Sequence, residues 1–171
     1  MRRADPDEAV TRDAFPVLVP CPTRWRDNDA YGHINNAVYY EYFDTAVNSW
    51  LHHRAGRIAH EGEAIGVVAE SGCRYLRQAA YPEHLLVGVA CDRLGRSSVT
   101  YRLAVFRTGG DAPDAPDDTA IAIGRFVHVY VDRRSRRPVP VPDPVRTAVA
   151  KDLDTTGRPV IIPPPTSGAS A

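Results

Sequence analysis

INNAVYYEYFDTAVNSWLHHRAG, residues 34–56, carries the strong helical repeat of this chain. Tyr39, Phe43, Ala46, Val47, Trp50 and Leu51 recur at intervals of three and four, while Glu41, Asp44 and Asn48 fall elsewhere. Asn35 or Asn36 suits an N-cap, Ile34 can staple onto Tyr39, and Gly56 suits a stop. The spacing therefore predicts a helix over residues 36–54. Its aromatic residues cover a broad arc, which implies a partner surface that encloses most of the helix.

Outward from the helix the period changes to two. A first strand is expected over 17–25, where Pro20 and Pro22 indicate an edge position or an irregular start. After the helix, strands are expected over 64–76, 84–94, 97–107 and 119–133, the middle pair joined by Gly95-Arg96 as a short hairpin. In the last strand Val127, Val129 and Val131 alternate with Phe126, His128 and Tyr130. Residues 144–153 suggest a short terminal helix. One strand, one long helix and four strands in succession make an α+β domain: an antiparallel sheet of about five strands wrapped around one long central helix. The expected division is an N-terminal arm (1–15), one folded domain (16–154) and a disordered Pro-rich tail (155–171). TGGDAPDAPDD, residues 108–118, reads as a flexible acidic loop.

The chain's 171 residues suffice for one buried core without disulfides or metals. Its 21 Lys and Arg balance its 21 Asp and Glu, which argues against a nucleic-acid binder acting through bulk charge. Lys151 is the only lysine; that bias toward Arg fits genome composition. Cys21, Cys73 and Cys91 are odd in number and scattered, which matches neither a disulfide framework nor a zinc pattern. They read as small apolar residues in a reducing compartment. No apolar run approaches a membrane span or a signal peptide, so a cytosolic protein is expected. No two histidines share an element at ligand spacing, and neither metal nor cofactor is implied.

The chemistry points to residues 24–36, RWRDNDAYGHINN. This segment leaves a strand, turns at Gly32 and enters the helix. A helix N-terminus offers unpaired N–H groups and a partial positive charge suited to a developing oxyanion. A carboxylate just before it faces a carbonyl held by those donors, the pairing that acyl transfer needs. Two carboxylates compete: Asp29, and Asp27, which can pair with Arg24 or Arg26. Glu41 and Asp44 read as a solvated face, with the cleft a second place for Glu41 as for Glu70. His52 and His53 suit the helix C-terminus.

RWRDNDAYGHINNAVYYEYFDTA resembles the signature of the 4-hydroxybenzoyl-CoA thioesterase-like branch of the hotdog superfamily. The resemblance continues through YLRQAAYPEHLLV, the strand pair around Gly95 and FVHVYVDRRSRRPVPVP, and covers residues 17–150. It implies an acyl-CoA thioesterase in which Asp29 is the catalytic carboxylate, as nucleophile or general base. The backbone N–H at Asn36 would polarise the thioester carbonyl, Gly32 would permit the turn, and His33 and Asn35 would organise the loop or touch substrate. The benzoyl-CoA type enzyme lacks this His and the paired Asn, which favours a more general acyl-CoA substrate. Pocket depth would be set by residues such as Tyr39, Phe43 and Trp50. Arg74 and Arg77, or Arg133, Arg134, Arg136 and Arg137, are candidates for the CoA phosphates, since guanidinium grips phosphate bidentately.

The resemblance also implies a homodimer with a continuous sheet and sites at the subunit boundary, in some relatives doubled to a homotetramer. Two other readings stand beside it. A non-catalytic acyl-CoA-binding hotdog would keep the fold without turnover. A hotdog hydratase or dehydratase would pair Asp29 with His33, but the G-D-x-N-P-x-H pattern of that branch is absent.

Overall fold

In the computed structural model, which describes residues 10–56, 61–108, 118–153 and 160–162, the central strands sort their side chains by the period of two. On β1 (Val17–Pro22), Val17, Val19 and Cys21 join the main core while Leu18 faces the other way. On β3 (His84–Leu94), Leu85, Val87 and Val89 point inward, and Leu86 and Ala90 outward. On β4 (Ser98–Arg107), Val99, Tyr101, Leu103 and Val105 face the core, with Ala104 and Phe106 behind them. A sheet with two apolar faces must be covered twice. The inner face closes on helix α1 (Asn36–Ala55); the outer face is partly closed by Phe15, whose ring packs edge-on to Phe106 at 5.5 Å.

The remaining elements are β2 (Ala64–Tyr75), β5 (Ala122–Asp132), α2 (Asp143–Ala148), a π-helical turn at Val149–Leu153 and β6 (Val160–Ile161). The sheet order is β2-β5-β4-β3-β1-β6, with all neighbours antiparallel except the β1–β6 pair, which is parallel. The sheet thus has six strands rather than about five, and it is mixed. The sixth comes from the segment expected to be a disordered tail: the Val160 and Ile162 N–H groups donate to the Pro16 and Leu18 carbonyls at 2.9 Å each. The N-terminal arm is likewise shorter than expected, since Phe15 is fully buried. β1 ends at Pro22, and residues 25–27 form a single 3-10 turn instead of continuing the strand. Beyond Leu18 nothing pairs with β1 on its β6 side among the described residues, which is where Pro20 and Pro22 are tolerated. Most of the acidic loop, 109–117, lies outside the described residues, as do 1–9 and most of 155–171.

The 20-residue helix is about 30 Å long and buries Tyr39, Tyr42, Phe43, Ala46, Val47, Trp50 and Leu51. Close approach of sheet and helix depends on Gly124 of β5, where an added Cβ would stand 2.5 Å from the Phe43 ring. β2 contrasts with the central strands. It pairs only with β5 among the described residues, carries a bulge between Val68 and Glu70, and is largely exposed. Its outer edge is an open row of backbone groups.

On β5 the inward set is Phe126, His128 and Tyr130 rather than the valines between them. His128 is 3% exposed, neither ring nitrogen has a hydrogen-bond partner among the described residues, and burial pushes its pKa down to about 4. A base whose folded pKa is depressed binds its proton more readily when unfolded. Stability is therefore complete above the unfolded value near 6.5 and falls as pH drops toward 4. Between pH 7 and pH 5 this residue should cost about 2 kcal/mol. Urea unfolding at both pH values should show a larger loss for wild type than for His128→Leu; equal losses would refute the assignment.

Candidate active site

The path from β1 to α1 is fixed by Asp27. Its side chain is 1% exposed and accepts hydrogen bonds from the Arg24 N–H (2.7 Å), the Arg24 Nε (2.9 Å) and the Tyr42 hydroxyl (2.8 Å). Its carbonyl accepts the Asn35 N–H at 2.8 Å. Arg24 also reaches Glu41 at 2.7 Å, so Glu41 serves this network and does not line the cleft. Burial, then the bond to Asp27, holds the Tyr42 phenol well above its usual pKa. One buried carboxylate thereby ties the 3-10 turn to the first two turns of α1.

Residues 28–34 then form a small loop closed by a bridge between Asn28 and Ile34. The Asp29 N–H donates to the His33 carbonyl at 2.7 Å, and Asp29 Oδ1 accepts the N–H groups of Tyr31 (2.8 Å) and His33 (3.3 Å). Gly32 sits at φ +82°, the left-handed conformation that favours glycine. Oδ2 of Asp29 has no partner among the described residues. Asn35 is the N-cap, its Oδ1 accepting the Ala37 N–H at 2.9 Å. Asn36 is the first helical residue, and its N–H has no acceptor among the described residues.

A second segment completes the site. Past β2 the chain bends back along this loop: the Ile34 N–H donates to the Ala79 carbonyl (2.8 Å), the Tyr81 N–H to Asn28 Oδ1 (3.0 Å), and the Thr23 hydroxyl to the Glu83 carbonyl (2.7 Å). The Tyr75 hydroxyl donates to the Asn36 carbonyl at 2.8 Å. Between the segments lies a cleft of ≈ 380 Å³. Asp29, His33 and Asn36 line one side, Tyr39 the floor, and Tyr75, Arg77, Gln78 and Ala79 the other. Burial pushes the Tyr39 phenol up to about 12, so it stays a hydrogen-bond donor at neutral pH.

Of the residues singled out in the sequence, Asp29, His33, Asn36, Tyr39 and Arg77 meet at this cleft. Asn35 and Gly32 shape it without lining it. Arg74 is exposed on β2 and outside it, and Arg77 is engaged by the Thr119 hydroxyl. Glu70 is also elsewhere, paired with Arg125 at 2.9 Å. The Arg133–Arg137 cluster follows the Asp132 end of β5, which pairs with Ala64, the opposite end of β2 from Tyr75. Tyr75 and Gln78 were missed, because the sequence holds no sign that the segment after β2 returns to the helix N-terminus. All three cysteines are free; Cys21 is buried, its thiol pushed up to about 12. Among the described residues no three His, Cys, Asp or Glu side chains converge as metal ligands.

A sheet curled around one helix, with an acidic loop at the helix N-terminus, defines a hotdog-fold protein. The sequence profile of the thioesterase-like superfamily matches residues 23–149, and the chain belongs to that superfamily. Among solved structures it is similar to the PA5185 protein of Pseudomonas aeruginosa, with 45% identity over 84% of this chain and 95% of that one, at a TM-score of 0.76. A thioesterase of Thermus thermophilus, complexed with coenzyme A and Zn, is 30% identical over 83% of this chain and 98% of its own, at a TM-score of 0.66. The uncharacterized protein YsmA of Bacillus subtilis is 31% identical over 89 residues, which span 52% of this chain and 60% of that protein.

The two neighbouring aspartates should separate cleanly. Asp27→Ala strips the counter-charge from Arg24 and the acceptor from Tyr42, and should cost on the order of 3 kcal/mol of stability. Asp29→Asn keeps the oxygen that accepts the turn's N–H groups, and should stay within about 1 kcal/mol of wild type. Thermal unfolding of both variants checks this; equal destabilisation would show that Asp29 is as structural as Asp27.

Proposed function

We propose that the protein hydrolyses an acyl-CoA thioester to the free acid and CoA, with Asp29 as the reacting carboxylate. The observation that carries this reading is the sharing of one cleft by an Asp29 carboxylate with Oδ2 unengaged and an Asn36 N–H without an acceptor among the described residues. Membership of the thioesterase-like superfamily and likeness to a CoA-complexed thioesterase support the substrate class.

The carbonyl oxygen of the thioester accepts the Asn36 N–H, and the dipole of a 20-residue helix favours the negative charge that develops there. Asp29 then attacks the carbonyl carbon, giving a mixed anhydride that water hydrolyses, or takes a proton from a water that attacks directly. In both routes the C–S bond breaks, CoA leaves as the thiolate and the thiolate is protonated. His33 and Asn35 hold the loop in register, and Tyr39 limits the depth of the acyl site. The open outer edge of β2 is the surface for a second copy, giving a homodimer with a continuous sheet.

Release of CoA from short, long and aromatic acyl-CoAs tests the chemistry. Turnover should fall at least ~100-fold in Asp29→Asn, the scale for loss of a catalytic acid–base group. Unchanged turnover would remove Asp29 from this role. Binding without turnover on every substrate would favour the acyl-CoA-binding reading. Light scattering tests the assembly: wild type should elute at twice the mass of one chain or a multiple of it, and Ser71→Pro on the β2 edge should shift it toward the monomer.

A further inference from the structure

Two exposed aromatic side chains, Trp25 and Tyr81, stand on segments that adjoin the cleft without lining it. Trp25 is 80% exposed and its ring meets that of Tyr81, itself 41% exposed, edge to face at 6.0 Å. An indole left in water is unusual. It begins the 3-10 turn that ends in the buried, fully engaged Asp27. Tyr81 is fixed through its N–H to Asn28. The next residue after Trp25, Arg26, is exposed and has neither a hydrogen-bond nor an ion-pair partner among the described residues. An exposed flat apolar face, next in sequence to an exposed guanidinium, suits a ligand that joins a planar base to phosphate: adenine stacks on the indole, and the guanidinium takes phosphate oxygens.

The position suits one such ligand in particular. Gln78 and Ala79 line the cleft, and Tyr81 stands two residues further along the same segment, no more than about 7 Å from Ala79 along the chain. The Thr23–Glu83, Asn28–Tyr81 and Ile34–Ala79 hydrogen bonds hold the two segments side by side from the cleft to this platform. A thioester bound at Asp29 can therefore send its pantetheine arm along the seam between them.

We propose that Trp25, Arg26 and Tyr81 seat the adenosine 3′-phosphate 5′-diphosphate end of CoA. The inference rests on the reading that the substrate is a CoA thioester. It gives the nucleotide to residues beside the catalytic loop, in place of Arg74 or the Arg133–Arg137 cluster.

Two thioesters with one acyl group separate the nucleotide from the chemistry: the CoA ester, and the N-acetylcysteamine ester, which has no nucleotide. Trp25→Ala should raise KM for the CoA ester about 10-fold or more, and Arg26→Gln should raise it several-fold. In both variants kcat, and kcat/KM for the N-acetylcysteamine ester, should stay at wild-type values. An equal fall for both esters, or no change for either, overturns the proposal. A second readout needs no turnover. The chain has two tryptophans, and Trp50 is fully buried, so acrylamide-accessible emission reports Trp25. Adenosine 3′,5′-bisphosphate should quench that emission in wild type and do so more weakly in Arg26→Gln. Emission that ignores the nucleotide, or that changes with protein concentration because a second copy covers Trp25, also overturns it. If no thioester is hydrolysed, the proposed function fails, and this titration alone decides the platform.

Discussion

The buried carboxylate of Asp27 is the constraint on which the site depends. A charge removed from water is stable only when paired and fully hydrogen-bonded. Asp27 meets that condition with Arg24 and Tyr42, while its carbonyl holds Asn35. These partners lie on the strand exit, the helix body and the helix cap. The direction in which the chain enters α1 is therefore set by electrostatics as much as by packing. The Asp29 loop, the first helical N–H groups and the exposed Trp25 all hang from that one anchored turn.

Two aspartates two residues apart differ through their surroundings alone. Asp27 points into the protein and is saturated with donors. Asp29 lines the cleft and uses one oxygen to close its own turn, while the other has no partner among the described residues. The turn's N–H groups on Oδ1 hold the carboxylate in one orientation, so its local structural role and its proposed chemical role are compatible. A reacting group held before substrate arrives loses little entropy at the moment of reaction.

The sheet supplies the second half of the site. β2 runs to the edge and ends in Tyr75, whose hydroxyl grips the first carbonyl of the helix. Arg77, Gln78 and Ala79 then follow the loop as the far wall of the cleft. The helix thus serves two ends: its sides fill the core, and its N-terminus stays open to a ligand.

Local periodicity and short-range capping were enough to specify the long helix and the strands β1 to β5 from the residues alone, while the loop at 24–36 was singled out by its resemblance to a family signature. The helix expected over 36–54 is observed as Asn36–Ala55, and β3 has the bounds its pattern predicts. Both candidate carboxylates were legible too, though their separation into a buried anchor and a cleft residue required knowing which way each side chain turns. Folding in three dimensions brought Tyr75 and Gln78 to the helix N-terminus, left Arg74 and Glu41 away from the cleft, and set Tyr81 against Trp25. Those contacts join residues dozens of positions apart, and no local pattern encodes them. The strand at Val160–Ile161 was hidden for the same reason: three apolar residues between prolines have no period of their own, and they form a strand only because the edge of β1 is there to pair with them.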